Sequence, residues 1–389
     1  MAANSLSIEQ IATILNAVQS QATGQAQLAN INTSDFVTVA TTTLQTGYDT
    51  VLNAISQVLS RTIFSVRPYE RKFAGLEVDN IKWGNHVRKL SPVDGEAFEN
   101  EAYKLVEGQS IDPFIVRKPG VLQTNFYGQD TYSKTITIFD TQLDQAFEGP
   151  ENFGNFVSMI MSNISDQLEQ YREDLERGAL ANMITGKVAG DSTNVLHLVT
   201  EYNAVAGTSL TAETVLEPQN FVPFMKWAVS FIKTLALMMS NRSAKYHMNV
   251  TGKAVMRHTP ASRMKMYLSA AYENLIDASV MSSVYNDEYL KLADHESVAY
   301  WQAIDSPLSV IATPTYMKAD GTLETANAAQ TVNGIFGLVF DEEAIGVTFS
   351  DQATTQDRNG RGRYTNMHWF ETARYWNDFT ENAVLLQLD

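Results

Sequence analysis

The sequence predicts an α+β fold, and three observations carry that prediction. A helical recurrence of apolar residues runs from Pro150 to Thr185, a strand-like alternation occupies the stretch from Leu76 to Asp140, and the end of the chain returns to apolar strand runs.

The long helix announces its start. In Gly149-Pro150-Glu151 the proline takes the first helical position, where its missing N–H costs no intrahelical bond, and Glu151 sets negative charge beside the positive end of the helix dipole. Phe153, Phe156, Ile160, Ile164, Leu168, Tyr171, Leu175 and Met183 recur at helical spacing; Asp166, Glu169, Arg172, Glu173 and Arg177 mark a solvated face, and Gly186 is expected to end the helix. At 1.5 Å per residue the rod spans roughly 50 Å, long enough to lie along a surface or another subunit, although a long core helix shows the same pattern.

Composition excludes several function classes. The chain has 389 residues, room for two or three compact units. With 28 Lys and Arg against 44 Asp and Glu the formal charge is -16, which argues against a protein that coats nucleic acid with a basic face. There is no cysteine, hence no disulfide, thiolate site or cysteine nucleophile. Histidines at 86, 197, 247, 258, 295 and 368 lack metal-ligand spacing, so no metal is expected. Neither Gly-x-Ser-x-Gly nor Gly-x-x-x-x-Gly-Lys-Ser/Thr occurs, so no catalytic residue and no cofactor is expected. Asp341-Glu342-Glu343 clusters carboxylates, but adjacent residues at a strand end do not make a spaced acid and base pair and read as a solvated turn. No membrane span and no signal peptide are expected.

Before Arg61 there is no Lys or Arg. Ile8, Ile11, Leu15 and Val18 form one thin apolar stripe; Phe36, Val39, Leu44, Val51, Leu52, Ile55, Leu59 and Ile63 form another, as in an arm lying on a partner or a partly disordered tail. From Leu76 to Asp140, Ile81, Trp83 and Val87 lead out and Ile136 and Ile138 lead back, around a middle punctuated by Pro92, Gly95, Gly108, Pro113, Pro119 and Gly120. A two-stranded excursion needs a surface to lie on. A strand is expected from Val195 to Thr200, and a second helix carries Phe221, Phe224, Ala228, Phe231, Leu235 and Met238, with Pro223 placed in its first turn. Strands are expected at Tyr246 to Val250, Val298 to Ile304 and Leu308 to Ala312, and a helix at Pro260 to Ala271. Ile335 to Phe340, Ile345 to Phe349, Tyr364 to Trp376 and Ala383 to Leu388 read as strands, the last folded back into the core.

Charge is segregated in two places. Lys82, Arg88 and Lys89 precede the acidic Asp94, Glu96, Glu99 and Glu101, a pattern that suits either a solvated hairpin or a tongue matched by neighbouring copies. Arg358-Asn-Gly-Arg-Gly-Arg363 suits either a mobile basic loop between strands or an anion contact. On the second alternatives, Lys82, Arg88, Lys89, Glu96, Glu99, Glu101, Arg358, Arg361 and Arg363 are candidate inter-subunit contacts.

The order of parts, with Phe336 to Val347 (FGLVFDEEAIGV), Glu381 to Leu388 (ENAVLLQL), Met256 to Leu268 (MRHTPASRMKMYL) and Val298 to Ile304 (VAYWQAI), resembles the tailed-phage major capsid proteins of the Hong Kong 97-type fold. The resemblance implies an N-terminal arm at 1–75, an extended loop (E-loop) at 76–140, a peripheral domain with its spine helix at 141–215, an axial domain at 216–330 and return strands of the peripheral domain at 331–389. It further implies a virion protein assembled in the host cytoplasm into hexamers and pentamers of an icosahedral shell, enclosing double-stranded DNA without sequence-specific binding. Portal and possible scaffold or decoration proteins would be its other partners. An encapsulin-type nanocompartment and, further off, a soluble carbohydrate-active enzyme are the alternatives.

Overall fold

The computed structural model describes residues 8–23, 33–47, 50–52, 54–55, 69–78, 87–93, 107, 114, 120–250, 252, 255–279 and 295–388. In chain order these carry α1 (Ile8–Thr23), α2 (Thr33–Leu44), β1 (Val87–Val93), β2 (Gly120–Phe126), β3 (Gln129–Phe139), α3 (Asp140–Ala146), α4 (Pro150–Gly190), β4 (Val195–His197) and α5 (Leu198–Ala206). There follow α6 (Pro218–Met239), β5 (Met264–Ser269), α7 (Ala270–Ser279), β6 (Glu296–Val298), β7 (Val310–Ala312), β8 (Thr315–Met317), β9 (Leu323–Thr325) and β10 (Gln330–Val332). The last four are β11 (Ile335–Asp341), β12 (Ile345–Asn359), β13 (Tyr364–Asn377) and β14 (Ala383–Gln387). Two compact units result: Met1–Ala74 with Gln129–Asp174 and Thr348–Arg374, and Gly75–Gly128 with Leu175–Val347 and Tyr375–Asp389.

The first unit is built on a three-stranded sheet of order β12-β13-β3. Ile138 from β3 and Met367 from β13 enter a core shared with Phe153, Val157 and Ile160 of α4. The thin stripe of α1 joins the same core: Leu15 and Val18 are fully buried. The expectation of an arm laid on a partner is therefore corrected for this helix, whose apolar side is covered by its own chain.

The second unit holds a five-stranded sheet of order β4-β14-β11-β5-β6. β11 and β14 are buried along almost their whole length, as continuous apolar runs covered on both faces should be. α6 packs Phe221, Phe224, Met225, Ile232 and Leu235 into this unit's core. By length and composition α6 is apolar enough to cross a membrane, and that buried stripe makes it a core helix instead.

Several expected boundaries move. α4 runs through Gly186 to Gly190: a Cβ at Gly186 would lie 2.6 Å from the Phe379 ring, so this glycine permits close packing rather than ending the helix. The solvated face fails at Glu173 and Arg177, both buried, with Arg177 donating to the Tyr300 carbonyl. α6 starts at Pro218, which leaves Pro223 inside the helix and Met238 half exposed. Met264–Ser269 is a strand between β11 and β6 rather than part of a helix, because its pairing with Gly337–Asp341 overrides the local pattern. Residues 246–250 form no strand, although Met248 N–H donates to Phe379 O and Tyr246 O accepts from Ala383 N–H. Residues 299–304 likewise lie outside β6. Finally, Ile136 and Ile138 pair with β13, so the excursion's return strand is β2.

Candidate functional site

β1 alternates in the way a strand must. Arg88 and Leu90 are exposed while Lys89 and Ser91 point inward, because successive side chains leave opposite faces. The inward pair docks the β1–β2 ribbon on its own unit. Lys89 Nζ lies 3.0 Å from Asp378 Oδ2, 2.6 Å from Glu381 Oε1 and 3.0 Å from Glu343 Oε2. Arg257 Nη2 reaches Glu381 Oε1 and Ser91 Oγ, each at 3.0 Å, and Arg263 Nε pairs with Glu342 at 2.5 Å while its Nη2 holds Glu343. Arg88, Lys265, Phe126 and Trp376 help line an adjoining groove of about 790 Å3.

The electrostatics follow from burial and company. Burial alone would lower the Lys89 ammonium's pKa; the charges of Asp378 and Glu381 outweigh it and raise the value. Burial pushes the Glu381 carboxyl up, against the pull of Lys89 and Arg257. Glu343, also opposed by burial, is held below its ordinary value by Lys89 and Arg263. Asp341 is buried and accepts from Thr259 Oγ1 at 2.8 Å, while Asn382 Nδ2 donates to that hydroxyl at 3.1 Å. The solvated acidic turn is thus corrected: its first residue is internal, and the other two face Arg263.

A second charged cluster lies in the first unit. Glu371 receives Arg172 Nε at 3.0 Å and Gln352 Nε2 at 2.7 Å, together with Arg172 Nη2 and the Tyr132 hydroxyl. Those partners outweigh burial and depress the Glu371 pKa. Among the described residues, no group of three or more His, Asp or Glu is arranged to hold a metal ion.

The expected basic loop is a short turn, because β12 continues to Asn359 and β13 begins at Tyr364. Arg358 Nη2 and Arg363 Nε lie 3.2 and 3.5 Å from Asp140 Oδ2, so both are paired within their own chain. Arg361 is exposed and its side chain has no partner among the described residues; the same holds for Arg88. Lys82, Glu96, Glu99 and Glu101 lie outside the described residues. Sequence reasoning singled out Lys89 as an inter-subunit contact, whereas the structure pairs it within its own chain, and it missed Asp378, Glu381, Arg257 and Arg263. The inner-face alternation of Arg88-Lys89-Leu90-Ser91 was the available signal for an anchoring lysine.

Residues 13–387 match the family described as Phi29-like phage major capsid protein. The chain belongs to that family. Among solved structures, a chain from the capsid of Staphylococcus phage Andhra is similar, with a TM-score of 0.56 and 10% identity over 84% of this chain and 87% of that one. A chain from the structure of the head fiber and inner core protein gp22 of native bacteriophage P68 is equally similar, with a TM-score of 0.56 and 10% identity over 84% and 87%. No curated protein matches. The fold is therefore the Hong Kong 97-type capsid fold, and this major capsid protein assembles with itself into a shell and forms part of the virion. It is a structural protein and not an enzyme, and neither the nanocompartment nor the carbohydrate-active alternative is supported.

Proposed function

We propose that this capsid protein closes an icosahedral shell of hexamers and pentamers around double-stranded DNA, with the β1–β2 ribbon lying on a neighbouring copy. One observation carries the proposal: β1 and β2 pair only with each other among the described strands. Their outer surface exposes Leu90 and Val121 at 61% and 64%. Such a ribbon is marginal in water and gains stability from a surface that covers it. Lys89 and Ser91 fix its base, which leaves Arg88 and Leu90 to face outward. In this reading residues 216–330 form the axial part, and Arg361, at the β12–β13 turn, sits at a subunit junction. Assembly takes place in the host cytoplasm with a portal and any scaffold or decoration protein. A chain of net charge -16 binds DNA weakly, because sequence-independent affinity comes from phosphate neutralisation by Lys and Arg.

The test is Leu90→Glu with Val121→Glu, followed by sedimentation and circular dichroism. The expected result is a folded protein that no longer forms particles. Intact particles of normal size would refute the assignment of the ribbon.

A further inference from the structure

The chain contains two Asn-Gly steps, Asn333-Gly334 and Asn359-Gly360. Both asparagines are exposed, yet their side chains are treated very differently. Asn359 Oδ1 accepts two backbone N–H groups, from Arg361 at 3.1 Å and Gly362 at 2.9 Å, while its Nδ2 donates to the Tyr364 hydroxyl at 2.9 Å. No side-chain hydrogen bond engages Asn333 among the described residues; only its main-chain oxygen is held, by Gln387 Nε2 at 2.8 Å.

We propose that Asn359 is a self-modifying residue, which cyclises through the Gly360 nitrogen and becomes aspartate or isoaspartate. The constellation around its amide suits each step. Gly360 has no side chain to hinder approach, and a Cβ built there would meet nothing within 4 Å, so Gly360→Ala fits the turn without disturbing it. Water takes the proton from Gly360 N–H as that nitrogen attacks Asn359 Cγ and the new N–Cγ bond forms. Negative charge then collects on Oδ1, where the Arg361 and Gly362 N–H groups already point, the arrangement that stabilises a tetrahedral oxyanion. The Cγ–Nδ2 bond breaks with a proton supplied from the Tyr364 hydroxyl, and the nitrogen leaves as ammonia. Water opens the resulting succinimide at either carbonyl and the tyrosine recovers its proton from solvent, so the balance is one water consumed and one ammonia released, with no redox change.

The product matters locally. A carboxylate at 359 adds negative charge to a turn whose Arg358 and Arg363 hold Asp140, and the isoaspartyl form lengthens the main chain inside that turn. Asn359 is thus a clock for the age of this hairpin.

Asn333 serves as the control inside the same molecule. Purified full-length protein held at neutral to mildly alkaline pH is digested at intervals, and the two peptides are followed by mass and by enzymatic isoaspartate detection. The expected result is conversion at Asn359 well ahead of Asn333, slowed about a hundredfold by Tyr364→Phe, the lower end of what a positioned acid contributes. The phenyl ring keeps its edge-on packing against Phe139, so this variant retains the hairpin. Gly360→Ala should also slow Asn359 and leave Asn333 unchanged. Conversion of Asn333 at an equal or higher rate, or an unchanged Asn359 rate in Tyr364→Phe, overturns the proposal.

Discussion

The β1–β2 ribbon and the β12–β13 hairpin are both long antiparallel pairs, but among the described strands only the second gains a third. β3 pairs with β13 from Tyr364↔Phe139 to Arg374↔Gln129, and Met367 and Ile138 carry that sheet into the core of the first unit. The ribbon has no third strand among the described residues, and Leu90 and Val121 stand in solvent. What holds the ribbon is its inner face: Lys89, which faces three carboxylates, and Ser91, which accepts from Arg257. One ribbon is therefore a piece of a core; the other is a lever attached at its base. The proposed contact with a neighbouring copy needs the second kind, since a ribbon with a private core would have no face left to cover.

Breaking the comparison begins with its largest effect. Lys89→Ala leaves Asp378, which is fully buried, without its ammonium, and is expected to cost about 3–5 kcal/mol of stability by chemical denaturation. A loss below about 1 kcal/mol would mean that the ribbon is not anchored there. Met367→Ala, on the other ribbon, should cost about 2–5 kcal/mol through the cavity it leaves, whereas Leu90→Ala should stay within about 0.5 kcal/mol in the unassembled chain.

Acid separates the two charged clusters. Glu371 has a depressed folded pKa, so its contribution is full above its unfolded value of about 4.5 and is lost as pH falls through the folded value. Glu381 is raised, so its own contribution has the opposite sign: full below the unfolded value and lost as pH rises through the folded one. Glu371→Gln should therefore flatten the fall in Tm as pH drops below about 4.5, and Glu381→Gln should not. Equal flattening in both variants would contradict the assignment. The smallest effect is expected at the hairpin turn. Arg361→Ala should leave the isolated subunit unchanged and lower particle tolerance of salt, each exposed pair being worth about 0–1 kcal/mol and the sum depending on repetition over the shell. Loss of DNA retention with normal salt tolerance would place Arg361 against the genome instead.

The sequence made the long helix, the closing apolar strand and the fold class readable because each depends on periodic burial, and a period survives in one dimension. Pro150 marked the helix start correctly since a helix N-terminus is a local matter of backbone donors. Its end was not readable: whether Gly186 stops a helix or admits Phe379 depends on a residue almost two hundred positions away. Met264–Ser269 shows the same limit, being a strand only because β11 and β6 lie on either side of it. The charged site was legible in part. Lys89 stood out as a basic residue in a charged segment, but Asp378 and Glu381 come from the far end of the chain, and Arg257 and Arg263 from its middle.

By itself, then, the sequence determined which faces are apolar, where regular elements begin, and that no cysteine, metal motif or nucleotide loop is available for chemistry. Tertiary structure alone decided which charges are spoken for. Lys89, Arg358 and Arg363 are paired within the chain while Arg88 and Arg361 remain outward, because an ion pair is set by a few ångströms of space between residues that stand hundreds of positions apart.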